Sequence, residues 1–344
     1  MTRSLVGTAL AAVIATSFTA VSANAGTELL FSTFFPPQHV LVKDVLKPWA
    51  DKVAEATHGD VTVSFAASSL APPPKQLDMV QDGIADVTVQ FAGVVPNRLT
   101  TLLIGAVPGP TTNTKAMSVA LWRTHEAYFE KANEFDRLRL LSLFALPPQM
   151  MFGTNGEAIS SLEEMKSARI ATTPGIAAQA FGAVSSGVVA GPAFRYFELV
   201  SKGMVDAFVA VTPIDVVGFN LAPYTKTATD MGDLGTAGTF ALVMNEKKWR
   251  RLSEENRKAI MSVSGEQFAR MLETVDTRNQ AIIKQLEADG VKFVTLPDDL
   301  RKDLAHAFAP IATDWIASVE AKGVADGAAA LKFYRQAQAD VAAE

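Results

Sequence analysis

Three segments decide the fold: LLFSTFFPPQHVLVKDVLKPWADKV at residues 29–53, VTVSF at 61–65 and ADVTVQF at 85–91. The first opens as a strand over Leu29 to Phe34. Pro36-Pro37 ends it, because proline cannot donate to a sheet ladder. Val42, Val45, Leu46, Trp49 and Val53 then recur at helical spacing, which gathers them on one face. His58-Gly59-Asp60 stops that helix, and Val61 to Phe65 alternates as a second strand. Pro72-Pro73-Pro74 leads a short helix through Leu77 and Val80, closed by Gly83, before a third strand at Val87 to Phe91. Strands separated by helices in this way imply a parallel α/β sheet.

A second α/β pattern begins near Met150. Met150 to Gly153 reads as a strand. Ser161 caps a short helical turn with Glu164 three residues on, a capping box. Arg169 to Thr172 reads as a strand broken by Thr173-Pro174-Gly175. Helices follow over Ile176 to Ser185 and Phe194 to Lys202, and a strand over Asp206 to Val211 stops at Thr212-Pro213. Phe240 to Met244 is a further strand. Ser253 then opens a helix whose apolar positions, from Ile260 to Leu286, continue to Gly290. As one helix to Asp289 it would run about 55 Å at 1.5 Å per residue, long enough to bridge two lobes. Asp298 caps another helix containing Trp315. The expected organisation is two α/β lobes joined by a long helix: residues 26–149 with about 237–276 in the first, and 150–236 with about 277–344 and the C-terminal helices in the second.

The start of the chain has the three-part layout of a secretory signal peptide. Thr2-Arg3-Ser4 is a short positive start, Leu5 to Val21 is nearly all apolar, and Ala23-Asn24-Ala25 offers small residues to a signal peptidase. Cleavage after Ala25 would leave an exported chain of about 319 residues, 344 less 25, large enough to bury two cores. The 344 residues carry a net charge of −5, which disfavours nucleic acid as a partner. The chain has no Cys, so disulfides, thiolate metal sites and Cys nucleophiles are excluded.

Catalytic constellations are missing as well. None of His39, His58, His125 and His306 has a second His or a carboxylate at metal-ligand spacing. There is no nucleophile elbow and no phosphate loop. Neither a metal nor an organic cofactor is expected, and the chain reads as a binding protein rather than an enzyme. His39 stands out only because it sits at a strand-to-helix turn.

Several segments taken in order resemble a known family. Phe35-Pro36-Pro37-Gln38-His39, Trp49 to Val53 and Thr57-His58-Gly59 match an opening strand, helix and turn. Ser69-Leu70, Gln76 to Gly83 and Ala85-Asp86-Val87 follow at the right spacing. Then come Val95 to Arg98 with Val107-Pro108, Ser161 to Ile170, Val200 to Asp206, and finally Phe240 to Asn245, Trp249 and Leu252 to Ile260. Together they resemble the DctP-like solute-binding proteins of TRAP (tripartite ATP-independent periplasmic) transporters. The resemblance implies a two-lobed periplasmic-binding-protein fold, a small organic solute held between the lobes, and small and large integral membrane subunits as partners. An ABC-type receptor or a sensor-input receptor is the alternative within the same architecture.

The chain departs from that family where solute is bound. The Arg that usually clamps a ligand carboxylate corresponds to Ala171, a second basic position present in some members to Met151 and a pocket Asn to Ala210, while the pocket Phe that sialic-acid-type members carry near Ala193 is missing. The cations left as candidates are Arg98, Arg195 and His39. Phe34, Phe35, Phe91, Met151 and Phe152 lie at strand ends expected to face the cleft, which gives an apolar, partly aromatic pocket. C4-dicarboxylates and sialic acid are expected to bind weakly or not at all, and the solute to be either an organic acid held by a different cation or a more apolar, aromatic compound.

Overall fold

The computed structural model describes residues 26–344. The signal-peptide reading falls on residues 1–25 and lies outside the described residues. Two sheets organise the rest. The first holds β1 (Thr27–Ser32), β2 (Val61–Phe65), β3 (Val87–Phe91), β4 (Leu138–Pro148) and β10 (Ala237–Asn245) in the order β2-β1-β3-β10-β4. The second holds β5 (Met150–Gly153), β6 (Arg169–Thr172), β7 (Gly187–Ala190), β8 (Ala207–Val211), β9 (Thr227–Asp230) and β11 (Lys292–Thr295) in the order β11-β9-β5-β8-β6-β7. As expected, β1 pairs parallel with β2 and β3. β10, which enters from the other lobe, runs antiparallel to β3 and β4.

This is the two-lobed α/β fold read from the sequence. The chain crosses between lobes at Gln149, the single residue separating β4 from β5, and returns through Met231 to Thr236 into β10. Every residue of β10 is buried, which suits a strand covered on both faces.

The helix starting at Ser253 differs from its expected form. The Ser253 hydroxyl does cap it, accepting from the Asn256 amide at 3.1 Å. It then breaks into Glu254–Ser262, Gly265–Met271 and Glu273–Ala288. Gly265 adopts φ +55°, the left-handed region, and a Cβ there would sit 3.1 Å from the Trp122 ring. Ser264 accepts from Trp49 Nε1 at 3.2 Å and Gly265 O from the Ser142 hydroxyl at 2.7 Å. Tertiary packing at this kink overrides an apolar periodicity that runs through it. The bridge between lobes is the last piece alone: Val275 enters the core beneath β1 and β10, while Leu286 enters the core of the second lobe.

A second bridge was not anticipated. The helix Asp298–Glu320 buries Leu300, Leu304, Phe308 and Ile311 in the second lobe, then Trp315 and Val319 in the first. The last helix, Gly327–Ala342, packs on Thr114–Thr124 of the first lobe. Residues 277–344 therefore do not all belong with the second lobe. Their apolar stripe shows that a helix is buried, but not which sheet it lies on.

Candidate functional site

The first two parallel strands of lobe one turn away at the same end of the sheet as β3, and the strands of lobe two present their own carboxyl ends opposite. Open α/β sheets bind ligands at such carboxyl ends. Between the lobes lies a cavity of about 580 Å³. Lobe one lines it with Phe34 and Phe35 after β1, Phe91 at the end of β3, and Phe240 on β10. Their rings form a continuous cluster: Phe34–Phe35 centroids are 4.6 Å apart, Phe35–Phe240 5.7 Å and Phe91–Phe240 5.1 Å. Lobe two contributes Thr173 after β6, Phe194 after β7, Ala210 and Thr212 at the end of β8, and Asp215 and Phe219 beyond it.

A second, more aliphatic cavity of about 470 Å³ includes Met151, Ile176, Phe181 and Leu234. Gln149 and Ala210 line both. Gln149 is fixed at the crossing, because its Oε1 accepts from the Thr236 hydroxyl at 2.8 Å and its Nε2 donates to Ala210 O at 3.0 Å. Ala210 has φ +62°, a conformation that costs a residue with a Cβ about 1 kcal/mol or more. The β5–β8 pairing shifts register between Met150 and Phe152, opposite this residue. The left-handed residue thus sits where β8 meets the cleft.

Asp215 is the only charged residue among the described residues lining either cavity. Thr212 and Asp215 form a reciprocal capping box at the start of the helix Pro213–Gly218. Asp215 Oδ2 accepts from the Thr212 amide at 2.9 Å and hydroxyl at 2.7 Å, and Oδ1 lies 3.3 Å from His39 Nε2. His39 is 1% exposed, so this contact joins the lobes behind the cavity wall. It stacks against Phe35 at 4.6 Å and Phe219 at 5.8 Å. Gly218 makes room for it: a Cβ there would stand 2.6 Å from the imidazole Cδ2. Burial pushes the Tyr196 hydroxyl well above its usual range, and the negative charge of Asp215 adds to the effect. Tyr196 therefore stays protonated and donates to Val209 O at 3.2 Å.

The expected site residues divide into those at the cleft and those away from it. Phe34, Phe35, Phe91 and Ala210 line the aromatic cavity, and Met151 lines its neighbour. His39 lies one layer behind. Four expectations are corrected. Arg98 pairs with Asp78 at 2.7 Å on the outside of lobe one. Arg195 is exposed, because the turn Ala193–Arg195 gives Phe194 to the cleft and its neighbour to solvent. Phe152 is 0% exposed and stacks on Phe208 at 5.2 Å inside lobe two. Ala171 is equally buried in that core, on the face of β6 opposite Ile170, and the chain reaches the cavity wall only past the strand's end, at Thr173. The sequence reading passed over Gln149, Thr212, Asp215 and Phe219. Only the Thr212-Pro213-x-Asp215 spacing was available as a signal, and it marks a helix cap rather than a site.

Comparison with known proteins agrees with this geometry. Residues 31–318 match the family model of the bacterial extracellular solute-binding proteins, family 7, DctP. A curated relative from Comamonas testosteroni, the outer membrane transporter protein TsaT, is 38% identical over 307 residues, covering 89% of this chain and 90% of the relative. A TRAP periplasmic solute-binding protein from Bordetella bronchiseptica, with bound (R)- and (S)-mandelate, superposes with a TM-score of 0.85. It is 29% identical, covering 92% of this chain and 99% of that one. A TRAP solute-binding protein from Rhodoferax ferrireducens with copurified benzoate shares the fold at a TM-score of 0.81 and 22% identity, covering 91% and 98%. The matched family and both solved structures are solute-binding proteins, and the Bordetella one is a periplasmic TRAP receptor. The chain belongs to the DctP family of extracellular solute-binding proteins.

Proposed function

We propose that this receptor captures a small aromatic solute between its lobes and hands it to the membrane subunits of a TRAP-type transporter. One observation carries the reading: six phenylalanines, 34, 35, 91, 194, 219 and 240, surround one cavity at the strand ends. The mandelate-bound Bordetella relative supports an aromatic solute, and the TsaT relative supports transport. Export would follow from the N-terminal segment, with mature protein starting at Gly26, which intact-mass measurement of periplasmic material tests.

Solute identity is tested by a thermal-shift panel. A solute at 100 times its dissociation constant adds about 2.7 kcal/mol of stability. Aromatic solutes should raise the melting temperature, whereas succinate, malate and sialic acid should not. A large shift with a C4-dicarboxylate and none with any aromatic solute would overturn the reading.

A further inference from the structure

The aromatic cavity carries one charge, and it is negative. Asp215 is held by three donors: the amide and hydroxyl of Thr212 on Oδ2, and His39 on Oδ1. The state of His39 follows from its other nitrogen. Nδ1 accepts from the Leu41 amide at 3.2 Å, so the ring proton sits on Nε2 and points at Asp215. A neutral imidazole donating to a carboxylate leaves the pair with a full negative charge. That charge stands at the wall of a cavity whose other lining side chains are uncharged.

A solute carboxylate needs a cation or several free donors to replace the water it loses on entry. None of the described lining residues of either cavity is Lys, Arg or His. The Gln149 amide spends its Oε1 on the Thr236 hydroxyl and one N–H on Ala210 O, which leaves an anion a single uncharged N–H there and no positive charge. The candidate cations Arg98 and Arg195 point away, one paired with Asp78 and the other in solvent. An anion entering here meets a like charge without a counter-ion. A hydroxyl or amide, by contrast, finds an acceptor in the lone pair left on Asp215 Oδ1.

We infer that Asp215, held by His39, makes the cleft select an uncharged aromatic solute bearing a hydrogen-bond donor and reject the aromatic carboxylate of the same shape. The inference rests on the aromatic reading of the site and adds the polarity of the solute. Calorimetric titration with a matched pair, mandelamide and mandelate, tests it. The amide should bind at least tenfold more tightly than the acid. In Asp215→Asn, which keeps an acceptor for the helix cap, the ratio should move at least tenfold toward the acid. Should that variant fail to fold, the ratio in the unsubstituted protein decides alone. Mandelate binding as tightly as mandelamide, or a ratio unmoved in folded Asp215→Asn, would overturn the inference while leaving the aromatic reading in place. Binding of aliphatic solutes alone would remove both.

Discussion

The two walls of the cleft are built from different materials. Lobe one offers side-chain rings on a rigid sheet: Phe35 and Phe240 are 6% and 4% exposed, and Phe240 also stacks on Phe144 at 5.1 Å. Lobe two adds the two remaining rings, Phe194 and Phe219, but sets them among turns and polar groups, namely a left-handed Ala210, the Thr212–Asp215 cap and Thr173. The first wall is an extension of a hydrophobic core, so it supplies apolar area and shape. The second places a few dipoles and one charge, so it supplies selectivity. A receptor that closes two lobes on a solute can thus keep affinity and discrimination on separate elements.

The largest expected effect tests whether the aromatic wall is core. Phe240→Ala should cost about 3–5 kcal/mol in urea unfolding, the usual range for a buried phenylalanine. Phe194→Ala, at a position 43% exposed on the other wall, should stay within about 0.5 kcal/mol. Equal losses would erase the distinction between the walls.

Acid should act next, and on lobe one first. Burial pushes His125 down to about 4 from an ordinary 6.5. The unfolded chain therefore takes up this proton as the pH falls through about 6.5, and the folded chain holds off until about 4. Stability is lost across that window, by roughly 3 kcal/mol at 1.36 per unit, and the loss is complete below it. In lobe two the Arg169 guanidinium beside Asp206 holds its carboxyl below the usual range, so its contribution is present above about 3.8 and disappears only at lower pH. Urea midpoints at pH 7 and pH 4.5 should differ less in His125→Phe than in the unsubstituted protein. An identical pH dependence would contradict the buried neutral imidazole.

Smaller effects refine the picture. Phe91→Ala removes a ring from the cavity while leaving the sheet pairing of β3, and should weaken an aromatic solute roughly tenfold, about 1.4 kcal/mol. Ala210→Gly relieves the left-handed strain and should gain about 0.5–1 kcal/mol of stability, read as a raised urea midpoint. A loss there would mean that the methyl packs well enough to outweigh the backbone cost.

The same division explains what could be read from the sequence. Local period and turn chemistry sufficed for β1 to β3, and the Phe34-Phe35 pair and Phe91 sit at strand ends where a cleft must open. Lobe two was legible only in part, since β5, β6 and β8 were read while β7 and β9 were not, and it was not legible as a wall. Asp215 reaches the cavity through a cap, and Ala210 through a backbone conformation, and neither leaves a compositional trace. Arg98 and Arg195 looked like counter-ions because charge is visible in sequence whereas its direction is not. The helix from Ser253 seemed continuous because Gly265 interrupts it only to meet Trp122, a contact made across the fold. The resemblance put the family's clamp position at Ala171, and among the described residues no Lys, Arg or His lines either cavity in its stead.

Hydrogen exchange on the full chain, with and without a bound aromatic solute, measures both walls at once. Solute shared between the lobes should slow exchange together at residues 34–42 and around Phe91 in lobe one, and at residues 173–176 and 210–219 in lobe two. Protection confined to one lobe, or appearing away from these four segments, would contradict a solute held in the cleft between them.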